Sequence, residues 1–141
     1  MDRKKIKHRF TDFLRSKRKN ITPERMNILN EVLDFNGHFK IDDIIDKMAA
    51  AKYPVSRATV YRTIKTIEEA GLIKYIHSIN DEKIYEVEEK HHDHMICEKC
   101  GKIIEFHDEE LEALQDAICK SKAFTAHRHT MKIFGICKEC N

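Results

Sequence analysis

The chain has 141 residues, of which 35% are charged and 41% hydrophobic, with a formal net charge of +2. This excludes a disordered tail and a membrane-spanning helix: the apolar content suits one ordinary domain or two small ones, and no apolar run approaches the roughly 20 residues of a membrane helix. The charge is divided, because residues 1–80 hold 17 Lys/Arg against 10 Asp/Glu while residues 81–141 hold 9 against 14, a split that suits a polyanion in the first part and cations in the second.

The N-terminus is basic but lacks the apolar core of a signal peptide, so the cytoplasm is the expected compartment. Residues 3–18 place Ile6, Phe10, Phe13 and Leu14 on one helical stripe, with Lys and Arg opposite. Thr22-Pro23 is a helix start, a capping hydroxyl followed by proline at the first helical position. Met26, Leu29, Val32 and Leu33 form that helix's apolar face, and Asn36-Gly37 ends it. Ile41, Ile44, Ile45 and Met48 mark a third short helix. After Pro54, Ser56 caps a fourth helix from Arg57 to Ala70, with Val60, Ile64 and Ile67 inward and Gly71 at its end. Two strand-like runs, 72–79 and 83–87, follow around the turn Asn80-Asp81-Glu82.

Helices, a basic last helix and a hairpin make a winged helix-turn-helix over residues 1–87. The last helix is the candidate reader of double-stranded DNA. Arg57, Thr59, Tyr61, Arg62 and Lys65 lie on it, and Lys19 and Arg25 are further candidates for phosphate.

Residues 88–141 read as a small α/β domain built around metal. Cys97-x-x-Cys100-Gly101 and Cys137-x-x-Cys140 are paired thiols whose two-residue gaps let both sulfurs of each pair reach one ion. Four thiolates give a closed tetrahedral set, which suits structural Zn²⁺. The 36 intervening residues require a helix and strands between the pairs. Cys119 lies on the apolar stripe of Leu111, Leu114 and Ile118 and is expected to be packed. In an extended His91-His92-Asp93-His94, His91 and Asp93 face one way and His92 and His94 the other, so one tetrapeptide can feed two metal sites. Glu105, Glu112 and His129 are further candidate ligands.

The runs Ala58-Thr59-Val60-Tyr61-Arg62-Thr63 and His91-His92-Asp93-His94-Met95-Ile96-Cys97, with Cys100-Gly101, Ile104-Glu105-Phe106 and Cys137-x-x-Cys140, resemble the ferric uptake regulator family. The resemblance covers essentially the whole chain beyond its basic N-terminal segment. It implies a homodimeric, metal-dependent repressor of metal uptake and homeostasis genes that binds a palindromic operator. It implies three metal sets: Cys97, Cys100, Cys137 and Cys140 for structural zinc; His38, Glu86, His92, His94 and Glu105 for the regulatory ion; and His91, Asp93, Glu112 and His129 for an additional ion. His38 and Glu86 rest on the resemblance alone.

Peroxide-sensing members usually place Asp where Glu86 and Glu105 stand, and zinc-sensing members often carry a longer His run or a sensory Cys. Neither feature occurs here, so Fe²⁺ is the expected corepressor, with Mn²⁺, Co²⁺ or Zn²⁺ able to substitute. The alternatives are a zinc- or peroxide-responsive member of the family, a metallohydrolase, which needs an open metal position and a base in a cleft, and a storage protein, which has no need of residues 55–87. No enzymatic activity is expected.

Overall fold

Helix α1 (Arg3–Ser16) starts where the Asp2 carboxylate accepts from the backbone N–H groups of Lys4 and Lys5. The computed structural model describes residues 2–88 and 90–141, which fall into two compact units, Met1–Glu89 and Lys90–Asn141. In the first unit α1 is followed by α2 (Pro23–Leu33), β1 (His38–Lys40), α3 (Ile41–Ala50), α4 (Arg57–Glu69), β2 (Ile73–Ile79) and β3 (Glu82–Val87). Thr22 and Ser56 cap α2 and α4 through the N–H groups of Arg25 and Thr59, as their sequence positions lead one to expect. Phe10, Leu14, Ile28, Leu29, Ile44, Ile64 and Ile67 are fully buried in one core, and this burial holds the helices against the sheet.

Several details differ from the sequence reading. Helix α2 ends at Leu33, before Asn36-Gly37. Helix α1 ends at Ser16, because Arg18 turns to φ 53°. The hairpin turns through Asn80 and Asp81 alone, at φ 49° and 64°, the paired left-handed residues of a two-residue type I′ turn. Strand β1 was not expected: it is three residues long, too short to show a period of two. It pairs antiparallel with β3, giving the sheet order β1-β3-β2. Helices α2, α3 and α4 with this hairpin form the winged helix-turn-helix.

The second unit contains β4 (Asp93–Cys97), β5 (Ile103–Phe106), α5 (Glu109–Ser121) and β6 (Lys132–Gly135). Its sheet has the order β5-β4-β6, with β4 antiparallel to β5 and parallel to β6. The only buried residues among those described here are Asp93, His94, Ile96, Cys97 and Cys137. Helix α5 buries none, and Leu114, Ile118, Phe124, Ile133, Phe134 and Ile136 are 47–65% exposed. The stripe carrying Cys119 is therefore not packed within the chain, and Cys119 itself is half-buried. Apolar burial alone therefore contributes little to the folding of this unit.

Candidate metal centres and DNA-reading face

Two tight turns present the four thiols. Gly101, at φ 76°, donates its N–H to Cys97 O at 2.9 Å, and the Cys140 N–H reaches Cys137 O at 3.0 Å. All four sulfurs lie within 4.8 Å of one another, with Cys100 Sγ 3.7 Å from Cys137 Sγ. The Cys137 N–H donates to Cys97 Sγ at 3.3 Å, and backbone donors of this kind lower the Cys97 thiol to about 6. Crowding by the Cys100 and Cys137 sulfurs pushes Cys140 up to about 12, and burial raises Cys137. Thiols so placed ionise together only around a cation, so the donor set fits a closed tetrahedral Zn²⁺ site. Lys102 Nζ, 2.7 Å from Glu139, ties the two turns together and holds the Glu139 carboxyl down at about 2.

The second cluster joins β4 to α5. His91 Nε2 and His129 Nε2 each lie 3.2 Å from Glu112 Oε1, and the two rings are 4.2 Å apart. Asp93 is fully buried; its Oδ1 accepts from the Met131 N–H at 3.1 Å, while Oδ2 has no hydrogen-bond partner among the described residues. A buried carboxylate needs compensation. The four donors, within 4.8 Å of one another, could supply it by holding a divalent cation.

The remaining nitrogen and oxygen donors form two sets, one in each unit. In the first unit the strand register places His38 opposite Glu86, and His38 Nε2 lies 3.1 Å from Glu86 Oε2. Lys74 faces Glu86 from the other side, with Nζ 3.0 Å from Oε1. In the second unit His94 is the cross-strand partner of Glu105, His92 Nε2 lies 3.7 Å from Glu105 Oε1, and the His92 and His94 rings are 4.8 Å apart. Alternation along residues 91–94 thus sends His91 and Asp93 to one cluster and His92 and His94 towards Glu105. Sequence reasoning had no route to Lys74, which enters only through the register of β2 on β3.

On the reading face, Tyr61 is 47% exposed and Arg62 and Lys65 are also open to solvent. The Arg62 guanidinium donates to Thr59 Oγ1 at 3.3 Å. A cleft of about 360 Å³ is lined by Glu24, Arg25, Thr59 and Arg62 between the N-terminal ends of α2 and α4, where the two guanidinium groups against one carboxylate, with the helix dipoles, favour phosphate. Three basic candidates besides Arg62 are engaged within the chain: Arg57, Lys19 and Arg25. Arg57 pairs with Asp42 at 2.7 Å, and Lys19 lies 3.3 Å from Thr66 Oγ1 and 3.8 Å from Glu69. Arg25 donates to the Asn20 carbonyl. If Arg62 binds phosphate, Arg62→Ala weakens binding to all DNA sequences and reduces the slope of log affinity against log salt by about one. An unchanged slope and affinity, measured by fluorescence anisotropy across a salt series, would move the contact elsewhere.

The ferric uptake regulator family model matches residues 16–134. The ferric uptake regulation protein of Campylobacter jejuni is 37% identical over 136 residues, covering 94% of this chain and 87% of that protein. The chain belongs to the ferric uptake regulator family. It is a metal-responsive regulator of transcription. The peroxide-responsive repressor PerR of Staphylococcus epidermidis is 31% identical over 139 residues, 96% of this chain and 92% of that one. Among solved structures, the Helicobacter pylori ferric uptake regulator superposes with a TM-score of 0.86 at 28% identity, covering 99% of this chain and 94% of that one. No described helix of this regulator is long and apolar enough to cross a membrane.

Proposed function

We propose that the chain is a homodimeric, cytoplasmic repressor of metal uptake genes, with no enzymatic activity, that reads a palindromic operator when a divalent ion, Fe²⁺ in the cell, fills its regulatory site. Residues 1–87 read DNA through Arg57, Thr59, Tyr61, Arg62 and Lys65, with Lys19 and Arg25 on phosphates. Residues 88–141 bind metal and dimerise. The observation that carries this reading is the division of nitrogen and oxygen donors: His38 and Glu86 lie in the DNA-reading unit, while His92, His94 and Glu105 lie in the other. The first set offers two donors and the second three, and imidazole with carboxylate suits Fe²⁺ and Mn²⁺ while accepting Co²⁺ or Zn²⁺.

An ion shared by both sets places positive charge against the buried Glu86 carboxylate. His38 and Glu86 fix the reading unit relative to the donors of the second unit, and in a dimer that constraint sets the spacing of the two α4 helices. The spacing must match half-sites separated by a helical turn of DNA. The cysteine set is structural, and His91, Asp93, Glu112 and His129 hold the additional ion. The H. pylori relative, described as having three functional metal binding sites, supports a count of three. The exposed apolar side chains of α5 and β6 support the dimer. Titrating operator DNA with the full chain, under chelation and then with one metal at a time, tests the function. Affinity rises with Fe²⁺ or Mn²⁺; equal affinity under chelation refutes a metal switch.

A further inference from the structure

We propose that Lys74 is a positioning charge that sets how much divalent metal the His38/Glu86 pair requires. This rests on the assignment of those two residues to the regulatory site and deepens it. Glu86 occupies the central strand of its sheet, with His38 as its partner on β1 and Lys74 as its partner on β2. The three side chains form a row, with His38 Nε2 3.1 Å from one carboxylate oxygen and Lys74 Nζ 3.0 Å from the other. The Glu86 side chain is only 4% exposed and that of Lys74 is 30% exposed.

A carboxylate this buried is costly unless a cation lies against it. The Lys74 ammonium is that cation in the metal-free protein, and it stabilises the metal-free fold. The same ammonium opposes metal in two ways. It competes for Oε1, and wherever it remains near Glu86 it repels a second cation through a poorly screened interior. His38 offers a neutral nitrogen to the same ion, so the two neighbours of Glu86 act in opposite senses. One recruits metal and the other raises the concentration at which metal is taken up.

The test uses the full-length regulator with its thiolate site loaded, in a His129→Ala background so that the additional cluster contributes little. Mn²⁺ affinity is measured by competition with a fluorescent chelator, and melting temperature is measured under chelation and with Mn²⁺. Lys74→Met and Lys74→Thr bind Mn²⁺ about tenfold more tightly than the parent. They melt lower under chelation and gain more on adding Mn²⁺, whereas Lys74→Arg behaves as the parent. Two substitutions of different shape keep the test open if one of them fails to fold. A merely structural Lys74 would lower stability and leave Mn²⁺ affinity unchanged or weaker, and that result overturns the proposal. His38→Ala is the control: if it retains this Mn²⁺ affinity, the assignment of the site itself falls, independently of Lys74.

Discussion

His38→Ala abolishes the metal-dependent gain in operator affinity while leaving the cysteine-bound metal and the oligomeric state intact. His38 is the imidazole proposed as the reading unit's ligand, on a three-residue strand paired to β3. Removing it leaves Glu86 as the remaining proposed donor of that unit, so metal no longer distinguishes the DNA-competent arrangement from the others. A ligand shifts an equilibrium only by its differential affinity for the two states. Couplings of this kind amount to about 5–150-fold in affinity, and the variant brings that factor close to one. His129→Ala costs less, because its partner Glu112 lies in the same unit and the additional ion does not couple to the reading helix. Anisotropy titrations of both variants with Mn²⁺ check this. Wild-type metal dependence in His38→Ala, with loss in His129→Ala, would mean that the switch is the other cluster.

Cys140→Ser has the second large effect, on folding. The second unit buries Ile96 and little other aliphatic surface, so the thiolate-bound ion supplies much of its stability. Structural zinc contributes on the order of 10 kcal/mol in small zinc domains. The variant loses the tightly held zinc, from one per chain towards none, and the unit melts with loss of the dimer. Cys97→Ser behaves alike. The pH sense follows from the thiols. Cys140, pushed up to about 12 in the metal-free protein, and Cys137, also raised, are protonated at neutral pH and must lose protons to bind metal. Zinc affinity therefore rises with pH and falls on acidification. Elemental analysis after dialysis decides the matter; full zinc retention in both variants contradicts a four-thiolate site.

What could be read from sequence was local. The paired cysteines carry their own spacing, Thr22 and Ser56 carry their own capping chemistry, and the apolar stripe of α4 repeats over enough turns to be seen. The site at Glu86 is of another kind. It arises from register, with His38 separated from Glu86 by 48 positions and brought beside it by a strand of three residues. No periodicity reports such a strand, so in the sequence only family resemblance points to His38 and Glu86, and nothing points to Lys74. Helix α5 shows a third case: its stripe of Leu111, Leu114 and Ile118 is plain in sequence, but a stripe does not say whether the chain covers it. Here the chain leaves Leu114 58% and Ile118 54% exposed, and the amphipathic pattern that suggests a core belongs instead to the proposed interface.

The central claim is that one ion couples His38 and Glu86 to operator recognition, and thermodynamic linkage provides its most direct measurement. Mn²⁺ affinity of the full-length regulator is determined with and without saturating operator DNA. The factor by which DNA tightens Mn²⁺ must equal the factor by which Mn²⁺ tightens DNA. The expected factors are equal, well above one for the wild type and collapsing together in His38→Ala. Mn²⁺ affinity that is indifferent to operator DNA in the wild type would contradict it.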